Sequence, residues 1–370
     1  MRFIQVDEEG YFSFSGIRLT DENYGRHLLS TLTCENRGYF VSENNEKIFV
    51  EAFDEPLVAR HIERVENRTA IASLPYGLMC AIDLATFRVD RWDRFHARTI
   101  ALNDSSVMSV GQNLPVVLSR PAQMEVFDLA DEFDDDSLTL HGVRYPVTHL
   151  GQLIEPDKPV NSAAFWTNLY DSWQTPATGD SGSTVGQKPG WELGAPAEPL
   201  HSVLPQIKLP KSRICVLGSG VGHDAAYFAE QGHVVTGVDF SETAISLARA
   251  KYGSSANFVT ANAFEFAKAR PGEFDVVFEH TFFCAVDPAR RMEVVEAWSR
   301  LLAPGGHLLG IFFTMDRGRD SCEGPPFGAT EWEIRELLKS KFEFLYWTRW
   351  HHSIPQRLGR ELIIYARKIV

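Results

Sequence analysis

Along roughly the first 150 residues, apolar positions come in short bursts that alternate with polar ones. Tyr11–Phe14, Gly38–Val41, Lys47–Glu51 and Thr69–Ser73 have this texture, and clusters such as Asp7-Glu8-Glu9-Gly10 and Glu43-Asn44-Asn45 separate them. A period of two punctuated by turn-formers predicts short strands. Helical spacing predicts a helix over Asp21–Thr31, with Asp21 as N-cap, and a second over Ala122–Ala130. The region 1–152 therefore reads as a mixed, mostly β domain of α+β type. A turn-rich linker, Gly151-Gln-Leu-Ile-Glu-Pro-Asp-Lys-Pro159, ends it. A helix opening at Asn161-Ser162 carries Phe165, Trp166, Leu169, Tyr170 and Trp173, and Gln174–Gly190 is a polar stretch with little to bury. The segment Phe165–Gly194 is expected to act as a lid, with that stretch as its loop. From Ser212 the period changes. Short apolar runs (Ile214–Leu217, Val234–Val238, Phe258-Val259, Phe274–Phe278, His307–Phe313) alternate with helical stretches near Asp224–Glu230, Glu242–Lys251 and Ala289–Leu302. Buried runs alternating with helices predict a doubly wound, mostly parallel α/β domain over 160–370. The last pair, Phe342–Trp347 and Glu361–Ala366, lacks a crossover helix and is expected to be antiparallel.

Composition agrees with two packed domains. The 370 residues are 44% hydrophobic and 12% aromatic, enough for two cores. A net charge of −13 argues against an electrostatic grip on nucleic acid or an anionic membrane. Cys34, Cys80, Cys215, Cys284 and Cys322 are scattered, with no CxxC pair and no Cys/His spacing for a metal. No apolar run is long enough for a bilayer span, and MRFIQVDEEGYF has no basic start with an apolar core behind it. A cytoplasmic location, a small-molecule substrate and no metal are the expectations; composition leaves the oligomeric state open.

The densest chemical signal is Val216-Leu-Gly218-Ser-Gly220-Val-Gly222-His-Asp224, where the first run of the second domain passes into a helix. Glycines allow close backbone approach to a ligand, and the helix start offers free N–H groups. The spacing G-x-G-x-G differs from the G-x-G-x-x-G of dinucleotide binders. The next strand ends in Val238-Asp239-Phe-Ser241. A carboxylate at that strand tip, roughly twenty residues on, suits a ribose diol; the alternative is a cap for the helix starting at Ser241.

Taken together these features resemble class I S-adenosylmethionine-dependent methyltransferases, whose fold is Rossmann-like. Further text is similar to the thiopurine and thiol/halide methyltransferase family: Phe165-Trp166-x-x-x-Tyr170, Thr175-Pro176, Trp191-Glu-Leu-Gly194-x-Pro196, Gly222-His223-Asp224 and Gly237-Val-Asp239-Phe-Ser241. So are Phe274-Asp275 through Glu279-His-Thr-Phe282-Phe283-Cys284-Ala285 to Pro288, Leu302-x-Pro304-Gly305-Gly306, Gly324-Pro325-Pro326-Phe327 and Arg357-x-Gly359-x-Glu361. The resemblance spans about Asn161 to Val370. It implies S-adenosylmethionine as cofactor, covered by Trp166 and Trp191 and cradled by Gly218, Gly220 and Gly222. It further implies ribose contact at Asp239 with Phe240, adenine contact at Asn262 with Ala263, and Glu279 at the amino or sulfonium end. Glu279, His280 and Phe327 are the implied catalytic residues, with His280 as a candidate to assist deprotonation and Phe327 as a candidate lining of the acceptor pocket. The plainer reading of Asn262 is a helix cap, and that of His280 a hydrogen-bonded wall residue.

There are two departures: the insert Ala177–Gly190 and His280 where relatives often carry Tyr. Both fall beside the expected site. The implied activity is methyl transfer to a small soft nucleophile (thiol, thiopurine or halide), with O- or N-methylation, or cofactor sensing without turnover, as alternatives. In the first domain, Tyr11–Ile17, Gly38–Val41, Glu46-Lys47, Val50–Pro56 and Gly142–Pro146 resemble a small bacterial domain of unknown function.

Overall fold

The computed structural model describes residues 2–35, 38–101, 110–149, 158–174, 189–314 and 324–369. Most of the expected linker (150–157) and the middle of the expected lid (175–188) lie outside the described residues. The chain groups into two compact units.

The first unit holds Met1–Leu153 and, from far along the sequence, Gly328–Ile334. It is mostly β. One six-stranded sheet pairs Arg2–Val6 in parallel with Glu46–Ala52 and antiparallel with Phe12–Phe14. A second, centred on the long strand Met79–Val89, has seven strands. A three-stranded sheet spans Ala130–Pro146. The helix Glu22–Ser30 starts where expected, with Tyr24 N donating to Asp21 Oδ1 at 2.9 Å. The other helix runs Arg120–Leu129 and starts earlier than its apolar spacing suggests, because Ser119 caps it and a proline follows at its start. Gly328–Ile334 belongs here through Trp332. Its N–H donates to Phe53 O at 2.7 Å, its ring meets Trp92 edge-on at 4.9 Å, and the Arg94 guanidinium lies 3.1 Å above it.

The second unit holds the rest of the described chain from Lys158 on. Its strands are β1 (Arg213–Leu217), β2 (Val234–Asp239), β3 (Asn257–Thr260), β4 (Phe274–His280), β5 (Leu302–Phe313), β6 (Phe342–Trp350) and β7 (Glu361–Lys368). They form one sheet in the order β3-β2-β1-β4-β5-β7-β6. The neighbours among β1–β5 are parallel, and β7 runs antiparallel to both β5 and β6. The connecting helices are α1 (Ala163–Gln174), α2 (Pro199–Ile207), α3 (His223–Glu230), α4 (Glu242–Tyr252), α5 (Ala263–Ala269), α6 (Arg291–Leu301) and α7 (Glu331–Leu338), whose first residues group with the first unit. The core under the sheet joins Ile214 and Val216, Val276 and Phe278, and Leu309 and Ile311, all buried, to Phe228 of α3 and Ile245 of α4. Parallel strands put the C-terminal tips of β1, β2 and β4 on one edge, and the order reverses between β1 and β4, where doubly wound sheets place their ligands. No helix among the described residues is long and apolar enough to cross a membrane.

Candidate active site

The turn after β1 takes positive φ at Gly218 (63°), Gly220 (51°) and Gly222 (82°), a region that side chains strain. The same glycines make room for neighbours. A Cβ on Gly218 would lie 2.5 Å from the Phe282 ring, and one on Gly220 2.9 Å from the Tyr170 hydroxyl. Asp239, buried at the tip of β2, locks this turn in place. Its Oδ2 accepts from Gly220 N at 2.9 Å and its Oδ1 from Ser241 N at 2.9 Å. Burial pushes the carboxyl above its usual range, against the pull of the Ser241, Gly220 and Phe240 N–H groups. Ser241 itself caps α4 by accepting from Ala244 N. Asp239 is thus a clamp between turn and strand tip, with lone pairs left for a diol.

Asn262 follows β3. Its Oδ1 accepts from Phe264 N at 2.9 Å and Glu265 N at 3.3 Å, so it caps α5, and Ala263 is the first residue of that helix. Capping uses the oxygen, the side-chain acceptor that an adenine amino group would need. The Asn262 group that remains is its NH₂, a donor matched to a ring nitrogen rather than to an amino group.

Across the turn lies an aromatic group. α1 packs on α4, with Tyr170 buried against Val221 and Ala244. Trp166 meets Trp191 edge-on at 5.7 Å, Tyr170 lies 6.4 Å from Trp191, and the Trp166 indole donates to Val160 O. Trp166 and Trp191, far apart in sequence, therefore share one patch beside Gly220.

At the tip of β4 the two carboxyl-adjacent residues point to different tasks. Glu279 is 1% exposed; its Oε1 accepts from Phe283 N at 3.0 Å, and its Oε2 is buried with no hydrogen-bond partner. Burial raises its pKa to about 8, opposed by the Phe283 and Phe282 N–H groups and reinforced by repulsion from Asp224. His280 is engaged at both ring nitrogens. Nδ1 lies 2.8 Å from Asp224 Oδ2, and Nε2 lies 2.7 Å from Arg357 Nη1. A guanidinium can only donate, so Nε2 accepts and Nδ1 carries the hydrogen given to Asp224. Both ring nitrogens are thus engaged, the arrangement of a buried brace. Asp224 also accepts from Ala197 N at 2.7 Å; burial works against its charge, but His280, that N–H and His223 prevail and hold its carboxyl below the usual range. Arg357 continues the chain, donating to Glu361 Oε1 at 3.3 Å and to Trp191 O at 3.2 Å. Phe327 is 2% exposed, with its N–H on Cys284 O at 2.6 Å and its carbonyl accepting from Arg291. It is a buried wall behind the β4 tip.

In the sequence Asp224 and Arg357 stand only as parts of motifs, and Tyr170 only as an aromatic of the expected lid. Each acts on a residue distant in the chain, and no local pattern encodes such a partner. The unpartnered Glu279 Oε2 calls for a cation, the side-chain-free turn for a flat or extended ligand, and Asp239 for hydroxyl donors. A nucleoside carrying positive charge satisfies all three.

This sheet order, glycine turn and pair of strand-tip carboxylates define a class I S-adenosylmethionine-dependent methyltransferase. Residues 185–360 match the thiopurine S-methyltransferase (TPMT) family. The chain is 32% identical to thiocyanate methyltransferase 1 of Arabidopsis thaliana over 186 residues, covering 48% of this chain and 79% of that protein. It is 29% identical to probable thiol methyltransferase 2 of the same plant, over 48% of this chain and 73% of that one. A 2-heptyl-1-hydroxyquinolin-4(1H)-one methyltransferase of Mycobacteroides abscessus is 26% identical, over 49% and 78%. The chain belongs to the thiopurine S-methyltransferase family and uses S-adenosylmethionine.

Proposed function

We propose that the protein methylates a small soft nucleophile, a thiol or an anion such as thiocyanate or a halide. The observation that supports this reading is that, among the described site residues, the histidines and Asp239 are all engaged, and the remaining carboxyl, Glu279, is assigned to the charge of the cofactor. His280 is spent between Asp224 and Arg357, Asp239 is bonded to two backbone N–H groups, and His223 is held by Glu192 and Tyr252 at 2.7 and 2.5 Å. An alcohol needs a base to shed its proton, and an amine must first lose the extra proton of its ammonium form. A thiol near its own pKa supplies thiolate unaided, and thiocyanate or a halide carries no proton at all. The relatives named as thiol and thiocyanate methyltransferases support the same acceptor class.

In this reading the cofactor supplies an electrophilic methyl group on a positively charged sulfur. Asp239, with Gly218 and Gly220, holds the ribose side; the Asn262 NH₂ and Ala263 border the base; Trp166 and Trp191 shield the cation, whose charge aromatic faces favour. Glu279 balances the positive charge from the tip of β4. Phe282, Phe283 and Phe327 keep water away, which leaves a small anion poorly hydrated and reactive. The test is a panel of thiols, thiocyanate, halides, phenols and amines with radiolabelled cofactor. Turnover confined to the first three classes is expected; turnover confined to phenols or amines would overturn the acceptor class.

A further inference from the structure

Glu279 presents an unusual balance of charge. Its carboxyl is almost wholly buried, and one of its oxygens meets no donor. The N–H groups of Phe282 and Phe283 reach it from the turn beyond β4. Asp224, opening α3, has the wrong sign to stabilise its charge. His280, next on β4, spends its Nδ1 hydrogen on Asp224 and its Nε2 on Arg357. Arg357, on the stretch before β7, is committed to His280, Glu361 and Trp191. Arg291 of α6 lies over the Phe283 ring, 4.8 Å from its centroid, and donates to Phe327 O. Cys284 follows in the same turn as a buried thiol. A carboxyl so placed is held mostly as the neutral acid at neutral pH in the ligand-free protein, because ionisation would bury a charge that, among the described residues, only the Phe282 and Phe283 N–H groups offset.

We propose that Glu279 is a charge-compensating carboxyl: it gives up its proton when the sulfonium form of the cofactor binds, and takes one back once the methyl group has left and the sulfur is neutral. This rests on the reading that places the cofactor between Asp239 and Glu279. The sulfonium is the matching cation for a simple reason. The amino-acid end of the ligand carries its own carboxylate beside its ammonium, and would bring a third acidic group towards Glu279 and Asp224. The sulfonium brings a single positive charge with no counter-ion. During transfer the acceptor S–H bond gives way to S–CH₃, and the pair of the old C–S bond stays on the cofactor sulfur. The acceptor's proton goes to solvent. The two exchanges at Glu279 cancel over a turnover, so the one proton liberated per cycle is the acceptor's. The carboxylate thereby attracts the charged cofactor, and its reprotonation removes the attraction when the product is neutral.

The test is calorimetric titration of the full chain with S-adenosylmethionine and with S-adenosylhomocysteine. Each is run at about pH 7 in buffers of different ionisation enthalpy, so that the slope of heat against buffer enthalpy counts protons. The two ligands share the ammonium, carboxylate, ribose and adenine and differ in the charge on sulfur. We expect the sulfonium ligand to release most of a proton, since a carboxyl titrating near 8 is mostly protonated at that pH, and the thioether far less. Glu279→Gln should abolish the difference, weaken the sulfonium ligand at least tenfold and leave the thioether within about threefold. Equal proton counts for the two ligands, or a difference that survives in Glu279→Gln, would overturn the inference while leaving the cofactor site intact. Failure of both ligands to bind would overturn the site itself.

Discussion

Asp239 makes two backbone hydrogen bonds of its own, to Gly220 N and Ser241 N, which hold the glycine turn against the end of β2. Asp239→Ala loses these as well as any bond to a ribose diol, each worth about 1–1.5 kcal/mol net. Affinity for S-adenosylhomocysteine should fall about tenfold or more by calorimetry, and unchanged affinity would remove Asp239 from the site. His280 tests the opposite expectation, since a brace and a base fail differently. His280→Asn keeps a donor towards Asp224 but cannot reach Arg357, so the melting temperature should drop while kcat with a thiol changes less than about tenfold. A thousandfold loss of kcat at an unchanged melting temperature would restore His280 as a base. Glu279 sets a pH dependence. Its folded pKa of about 8 lies above the ordinary carboxyl value of 4.5, so the folded chain keeps a proton that the unfolded chain has lost. The stability this lends is complete below the unfolded value and is gone once the pH has risen through 8. Thermal melts of the ligand-free protein from about pH 5 to 8.5 should therefore decline more steeply for wild type than for Glu279→Gln, and parallel curves would show that Glu279 ionises normally.

The turn between β1 and α3 and the helix α1 are built around each other, and Gly220 is where they touch. Gly220→Ala adds strain at a φ of 51° and sets a methyl group 2.9 Å from the Tyr170 hydroxyl. Tyr170 packs on Val221 and Ala244 and has little room to retreat, so the variant should push α1 away and separate Trp166 from the turn. A cost of about 1–3 kcal/mol is expected, seen as weaker cofactor binding with the tryptophan emission shifted. The alternation of apolar runs and helices made the strands of the parallel sheet legible in the sequence, because each is a buried run bounded by turns. The antiparallel pair at the end was legible too, from a gap with no crossover helix. α2 and α5 were not. α2 carries Pro205 inside it and α5 spans only Ala263–Ala269, too short for a full apolar stripe. In the site, the glycines and Asp239 were legible because their requirements are local. The Asp224–His280–Arg357 chain was not, because its three members come from α3, β4 and the stretch before β7.

A cut of the chain near residue 153 separates the described site residues cleanly, since those from Trp166 to Arg357 group in the second unit. It does not separate the folding interactions as cleanly, because Gly328–Ile334 belongs with the first unit. There, Trp332 is held by Phe53 O, Trp92 and the Arg94 guanidinium, and Thr330 Oγ1 donates to Asp54 Oδ1 at 3.0 Å. A fragment starting at Glu155 retains every described residue of the site, so it should still bind S-adenosylhomocysteine. It loses the Phe53, Trp92 and Arg94 contacts of Trp332 and the bond from Thr330 to Asp54. Re-exposing part of an indole costs about 1–2 kcal/mol, and the lost hydrogen bonds about 1 kcal/mol each. For a chain of this size such a loss lowers the melting temperature by roughly 5–10 °C. Trp332→Ala in the intact protein should reproduce about half of that drop, since it removes the ring contacts and leaves the backbone bond to Phe53. A fragment that binds no cofactor would show that the second unit cannot stand alone. A fragment melting at the same temperature as the intact chain would show that the Trp332 anchor adds nothing to stability. The expected result lies between these: a fragment that binds and is weaker, its deficit tracing to the seven residues at Gly328–Ile334 that fold with a domain encoded far upstream.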